Sequence, residues 1–437
     1  MSDRIGTVLG FYPEREHFVF TCAFEKLQRA LTWQGSGNLN QGEKASSKGK
    51  FFLPALTFSN FATSTLGILI ALFLLEMSKT FGVNRGMMGQ ANTIASIVSV
   101  VFALIMGILS IRFTDRILIL AGMFSYSVAA IGCYFAWNFN SILIFYSLNG
   151  LAQAMIGPMT NALIGDNVAA EKQASAIAWT VAAGSLAILI GAPIMGFLSS
   201  FGGWRIALLI FIIPVSLIAL LIMGVSAPSA KTSSKASDTS NTYAKSFTQI
   251  VSNRSAIGCL IGNVFRVAVA SALLFYGTAF MIERFNLSIG SASIITLLIA
   301  LFATLGSLTE QRVIRRRGRK TSAVASALLA GLFTISYAYA PSFWLGVALI
   351  SVAGFFDGLA ASASTSLTLD QVPELRGTMM SLFAAFAGAG GAIGGGIGGL
   401  TLILYDYERL GIILGSMGIV AAIIFKFVTV DPTGASH

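Results

Sequence analysis

The sequence predicts an all-α, polytopic membrane protein with 12 transmembrane helices in two pseudo-symmetric six-helix bundles. Three observations carry that expectation. Hydrophobic residues make up 55% of the 437 positions and charged residues only 11%, where an ordinary soluble domain carries about 25% charged. Apolar runs repeatedly reach the ~20 residues that a helix needs to cross a bilayer. Two pairs of polar words also recur. Gly107-Ile-Leu109 and Asp166-Asn-Val-Ala-Ala-Glu171-Lys172 return as Gly306-Ser-Leu308 and Asp370-Gln-Val-Pro-Glu374-Leu-Arg376, at offsets of 199 and 204 residues.

In hydrocarbon every backbone polar group needs an internal partner, so the apolar runs are read as helices. The period-two alternation of a membrane barrel is missing. Spans fall at roughly 51–76, 87–111, 117–137, 141–165, 175–200, 205–226, 255–282, 288–309, 321–341, 343–368, 377–404 and 410–430. Residues 227–254, rich in Ser, Thr and Lys, separate six spans from six and have the composition of a linker. The organisation is then a tail (1–50), a first bundle (51–226), the linker (227–254), a second bundle (255–430) and a short tail (431–437).

Lys and Arg set the orientation. With the N-terminus inside, the N-tail, the even-numbered connections and the C-terminal end hold 22 of the 28 basic residues. The run Arg312, Arg315, Arg316, Arg317, Arg319, Lys320 is the strongest vote. Cytoplasmic connections carry this excess, so both termini are expected in the cytoplasm of a multi-pass cell (inner or plasma) membrane protein. The net charge of +10 follows from topology and attraction to anionic lipid, with no nucleic-acid partner required.

Taken in chain order, the tail to residue 50 lacks the apolar core of a signal peptide. Phe20, Phe24, Leu27 and Leu31 have the spacing of a surface-lying helix, but a disordered tail or a start codon placed too early is the preferred reading. Span one carries Asn60, Ser64 and Gly67 on one helical face, with Glu76 and Lys79 at its end as an interfacial ion pair. Span four carries Asn149, Gln153, Gly157 and Asn161 at four-residue spacing. Polar residues in a span usually face the bundle interior, though hydrogen bonds between helices, worth only about 0.6 kcal/mol each, also account for them.

Two charges lie deep in the second bundle. Arg266 is 11 residues after Ser255 and Asp357 is 11 before Thr368, which places both ~16 Å from the same membrane face. Each costs about 2.5–3.5 kcal/mol at the bilayer centre on insertion scales. Equal depth on two helices implies that they pair, with Asn263 one turn away. Glu283-Arg284 and Asp406-Glu408-Arg409 cap outer helix ends and are expected to face water. In span eleven, Gly394, Gly396 and Gly399 fit a dinucleotide fingerprint by spacing, but inside an apolar helix run they read as small residues for close helix packing.

Other chemistry is excluded on the same grounds. No Walker loop occurs. Cys133 and Cys259 fall in spans, Cys22 in the tail, and the only histidines are His17 and His437, so neither a disulfide framework nor a metal site is expected. No cofactor is expected, and the chain does not read as an enzyme. One central aspartate without histidine does not make an intramembrane protease.

Over residues 51–430 the chain resembles the major facilitator superfamily. That family carries a G-x-L-a-D-r-x-G-r-k motif after spans two and eight. Gly107, Leu109 and Arg112 match the first copy, with Ile111 in place of the acid and Asp115 a candidate substitute. Gly306, Leu308 and Glu310 match the second. Gly202-Gly203-Trp204-Arg205 resembles the family's span 5–6 junction, and Asp370 to Gly377 its span 10–11 loop. Gly191-Ala192-Pro193-Ile194-Met195-Gly196 partly resembles an antiporter motif and hints at efflux.

The resemblance implies a secondary transporter, acting as a monomer, whose spans one, four, seven and ten line a central cavity. Asn60, Ser64, Asn149, Gln153, Asn263, Arg266, Tyr276 and Asp357 are then cavity candidates. Gly107, Arg112, Asp115, Asp166, Glu171, Gly306, Glu310, Asp370, Glu374 and Arg376 are gating candidates, with the basic loop as partner. Burial disfavours a charged carboxylate and a nearby arginine favours it. Separating Arg266 from Asp357 would let Asp357 take a proton and couple a proton gradient to movement of a small molecule. Uptake of an organic anion held by Arg266 is the alternative. A static ion pair, or a non-transporting sensor or scaffold with the same fold, remains open.

Overall fold

The structure, a computed structural model, describes residues 49–168, 170–227, 247–372 and 375–431. Twelve long apolar helices account for nearly all of them: α1 (Gly49–Thr80), α2 (Arg85–Arg112), α3 (Asp115–Tyr134), α4 (Phe139–Asn167), α5 (Ala170–Ser199), α6 (Trp204–Ser226), α7 (Arg254–Phe285), α8 (Ile289–Arg317), α9 (Arg319–Ala338), α10 (Phe343–Leu369), α11 (Arg376–Leu404) and α12 (Tyr407–Phe427). All 12 contain a stretch long and apolar enough to cross a membrane. The sequence between the apolar runs supplies their ends. Asn84, Thr114, Asn253, Ser288 and Asp406 each accept a backbone N–H of the first turn that follows, and Asn138 with Ser141 forms a reciprocal box at the start of α4. The N-tail to residue 48, with both readings of it, and most of the linker fall outside the described residues.

The helices pair in a repeated pattern. In the first six, α1 packs on α5 and α6, α4 on α2 and α3, and α3 on α6. In the second six, α7 packs on α11 and α12, α10 on α8 and α9, and α9 on α12. Between the sixes, α2 meets α11 and α5 meets α8. One contact shows the repeat in detail. Gly150 of α4 lies against the Ala95 carbonyl of α2, and Gly354 of α10 lies 3.0 Å from the Ile299 carbonyl of α8 when a Cβ is placed on it. Both members shift by 204 residues, the offset of the second polar word.

Two features depart from a plain helix bundle. A single wide turn interrupts α6 at Leu208–Ile212 and α7 at Leu273–Gly277; each inserts one extra residue and shifts the helix face beyond it. Glu76 does not pair with Lys79. Its Oε1 accepts the backbone N–H of Trp204 at 3.1 Å, capping α6 where Gly203 has φ +78° and any side chain would strike the carboxylate. Arg205 completes the staple by donating to the carbonyls of Tyr134 (3.3 Å), the last residue of α3, and Ala136 (2.7 Å), just beyond it. The Gly202–Arg205 junction therefore ties α1, α3 and α6 together at one end of the bundle.

Candidate functional site

Arg266 and Asp357 meet midway along α7 and α10. Arg266 Nη1 lies 3.0 Å from Asp357 Oδ1, with the side chains 11% and 17% exposed. Arg266 Nε also donates to Asn263 Oδ1 at 3.1 Å. Asn263 sits one turn before Arg266 on the same face and is fully buried, and its Nδ2 has no hydrogen-bond partner. One guanidinium thus holds two acceptors, one charged and one neutral. If the carboxylate left, Asn263 would still hold the arginine in place.

The first half presents a neutral polar strip where α1 meets α4. Asn60 Nδ2 donates to Thr160 Oγ1 at 3.3 Å and to the Leu56 carbonyl at 2.9 Å. Gln153 Nε2 reaches across to the Thr63 carbonyl at 3.1 Å. Ser64 donates to the Asn60 carbonyl at 2.9 Å. Gly67 and Gly157 on these helices face open space. Thr160 was not singled out from the sequence, although it follows Gln153 by two helical turns.

Two cavity candidates are placed otherwise. Tyr276 is only 1% exposed. It wedges between Gly89 of α2 and Gly398 of α11 and donates its hydroxyl to the Gly395 carbonyl at 2.8 Å. It is a packing element of the seam between the halves. Asn149 is 6% exposed, its Oδ1 has no hydrogen-bond partner, and it lies one turn from exposed Gln153.

The gating candidates divide. Glu310 is buried and accepts from Ser366 Oγ at 2.9 Å, and Asp370 pairs with Arg319. Arg319 belongs to the basic run, so Asp370 meets that run, whereas Glu310 ties α8 to α10 instead; both contacts lie within the second six helices. Gly306 packs on the Phe355 carbonyl of α10. Asp115 lies in the first turn of α3. The side chains of Gly107, Arg112, Asp166, Glu171 and Arg376, and all of Glu374, fall outside the described residues.

A link across the halves occurs at the opposite end from the basic loop. Arg85, at the start of α2, pairs with Glu283 near the end of α7. Its guanidinium also lies 4.6 Å from the ring centre of Tyr407 on α12. Glu283 was expected simply to face water. Nothing periodic in the sequence joins residue 85 to residue 283, so only the packing reveals the pair. From this end the α2–α11 seam continues through Gly86 against Gly399 and Thr93 against Gly395 to Val100 against Gly388.

Twelve helices arranged as two packed repeats, with a buried charge pair at mid-depth, define a multi-pass membrane transporter. The chain belongs to the Major Facilitator Superfamily, whose sequence profile matches residues 55–339 and 265–437. It is 24% identical over 377 residues to the MFS-type transporter YceJ of Bacillus subtilis, covering 86% of this chain and 95% of that one. It is 28% identical over 156 residues to the gentisate transporter of Corynebacterium glutamicum, covering 35% and 34%. The fold matches the crystal structure of a D-xylose–proton symporter with a TM-score of 0.72, at 12% identity, over 88% of this chain and 98% of that chain.

Proposed function

We propose that this transporter moves a small organic solute by alternating access, coupled to protons through Asp357 with Arg266 as its counter-charge. The observation that carries this reading is the nearly buried Arg266–Asp357 pair, backed by Asn263 as a second acceptor. Two charges at this depth persist only when paired. Both residues lie in the second half, so the separating step is a shift of α7 against α10 as the halves rock; it leaves the carboxylate in a poor solvent for charge, and the carboxylate takes a proton. Asn263 keeps the arginine satisfied meanwhile. The polar strip of Asn60, Thr160 and Gln153 supplies neutral hydrogen-bonding groups for a solute. The partial antiporter motif at 191–196 favours export.

The Arg85–Glu283–Tyr407 contact and the α2–α11 seam from residue 86 to residue 100 support a state closed at that end. The Lys and Arg bias makes that closed end the outer one. Purified protein in proteoliposomes tests the whole reading. A coupled carrier builds a solute gradient under a pH difference, a facilitator only dissipates one, and a scaffold or sensor moves nothing. Either of the last two results ends the proposal.

A second reading is uptake of an organic anion that Arg266 binds while displacing Asp357. The likeness to a gentisate transporter favours it. A carboxylate solute should then protect the protein thermally in wild type and lose that protection in Arg266→Gln.

Reversing one charge of the closing pair should open the sealed end. An exposed ion pair contributes about 0–1 kcal/mol and a cation–π contact about 0.5–1 kcal/mol. Arg85→Glu should therefore shift the balance of the two states about 2–30-fold. A cysteine placed at Gly67, labelled by an impermeant maleimide from the Arg85 side, should react faster by that factor. The swap Arg85→Glu/Glu283→Arg should restore protection.

A further inference from the structure

The basic run 312–320 is more than an orientation signal. Arg312, Arg315, Arg316 and Arg317 rim a cavity of about 640 Å³ whose walls come from α8 and α9 and whose floor is α10. Its interior is apolar, with Leu329, Phe355, Phe356 and Leu359. Phe356 stacks on Phe333 with ring centres 5.7 Å apart and meets Phe355 edge-on at 5.4 Å, so the floor is firmly packed. Leu329 lies ten residues into α9 and Phe355 fourteen residues before the end of α10, which puts the groove ~15–20 Å deep from the rim.

Arg319 is neutralised by Asp370. Among the described residues, none of the four rim arginines has a carboxylate within 4.0 Å. Arg312 and Arg316 stand one turn apart, a spacing at which like charges repel. A helix C-terminus accounts for cations in the last turn of α8. It does not account for an apolar slot directly beneath them. A polar head held by several arginines above a hydrocarbon-lined groove is the shape and charge pattern of an anionic phospholipid.

We propose that this groove is a binding site for an anionic phospholipid, its phosphate on Arg312, Arg315 and Arg316 and an acyl chain along Phe355 and Leu329. Phosphatidylglycerol is the probe, with phosphatidylcholine as the zwitterionic control. The full chain is purified in detergent, titrated with each lipid, and read by native mass spectrometry and thermal midpoint.

Phosphatidylglycerol should be retained and should raise the midpoint, and phosphatidylcholine should not. Each arginine near an anionic head contributes about fivefold in affinity. Arg312→Gln/Arg316→Gln should therefore bind about 25-fold more weakly. Ala325→Phe fills the slot from α9 without touching a charge and should also lose the lipid. Retention unchanged in Ala325→Phe means surface charge alone attracts the lipid, and the groove site falls. Equal retention of both lipids also overturns it. So does an equal midpoint shift by glycerol 3-phosphate, which carries the phosphate without the chain. If the arginine double variant does not fold, Ala325→Phe decides alone.

Discussion

Replacing Asp357 by asparagine is expected to reduce uphill solute transport to background while leaving the protein inserted and folded. Asparagine keeps an oxygen where Asp357 Oδ1 accepts from Arg266 at 3.0 Å, so the network with Asn263 retains its geometry. It cannot carry a proton. Loss of one partner from a buried pair ordinarily costs about 3–5 kcal/mol because the other charge is stranded. Here the amide oxygen and Asn263 soften that cost, and Asp357→Ala should be visibly less stable than Asp357→Asn. The neutral double variant Arg266→Gln/Asp357→Asn separates two roles. If the pair only fixes the packing of α7 on α10, the double variant recovers both stability and transport. If Asp357 couples protons, stability returns and uphill transport does not. Wild-type uphill transport by Asp357→Asn would end the coupling proposal.

The sequence was most legible where physics is local or repeated. Helix spans followed from the absence of water in hydrocarbon, which forces every long apolar run into the same secondary structure. The Arg266–Asp357 contact followed from depth, because two costly charges at one level on two helices have few other partners. The role of the glycines in α11 followed from their number. Tyr276 was grouped with the cavity for its aromatic ring alone, and only the packing places that ring between Gly89 and Gly398 in the α2–α11 seam. Glu76 was read against its sequence neighbour Lys79. Its actual partner is a helix start 128 residues away, at Trp204. The Arg85–Glu283 link was illegible for a similar reason. Both are common charges at helix ends, and only the packing of the two halves selects that pair from the other charges at helix ends.

Two glycines of α11 should respond to the same substitution in opposite ways. Gly394 lies against α7, within one half; a Cβ there would sit 2.8 Å from Ala268 Cα. Gly399 lies against α2, across the seam; a Cβ there would sit 2.6 Å from the Gly86 carbonyl. Forcing a side chain into a packed contact costs about 1–3 kcal/mol or more. At Gly394 the two helices belong to the same half, and rocking of one half against the other leaves their contact in place, so Gly394→Leu should lower the thermal midpoint and the yield of folded protein. At Gly399 the contact exists only while that end of the transporter is closed, so Gly399→Leu should leave each half intact and penalise only the closed state. About 1.4 kcal/mol shifts a two-state balance tenfold. Gly399→Leu should accordingly fold with near-native stability, expose a Gly67→Cys reporter from the Arg85 side, and transport slowly because one state is disfavoured. Equal loss of stability in both variants would mean that the α2–α11 seam is as permanent as the α7–α11 contact, and a seam that never opens is incompatible with alternating access.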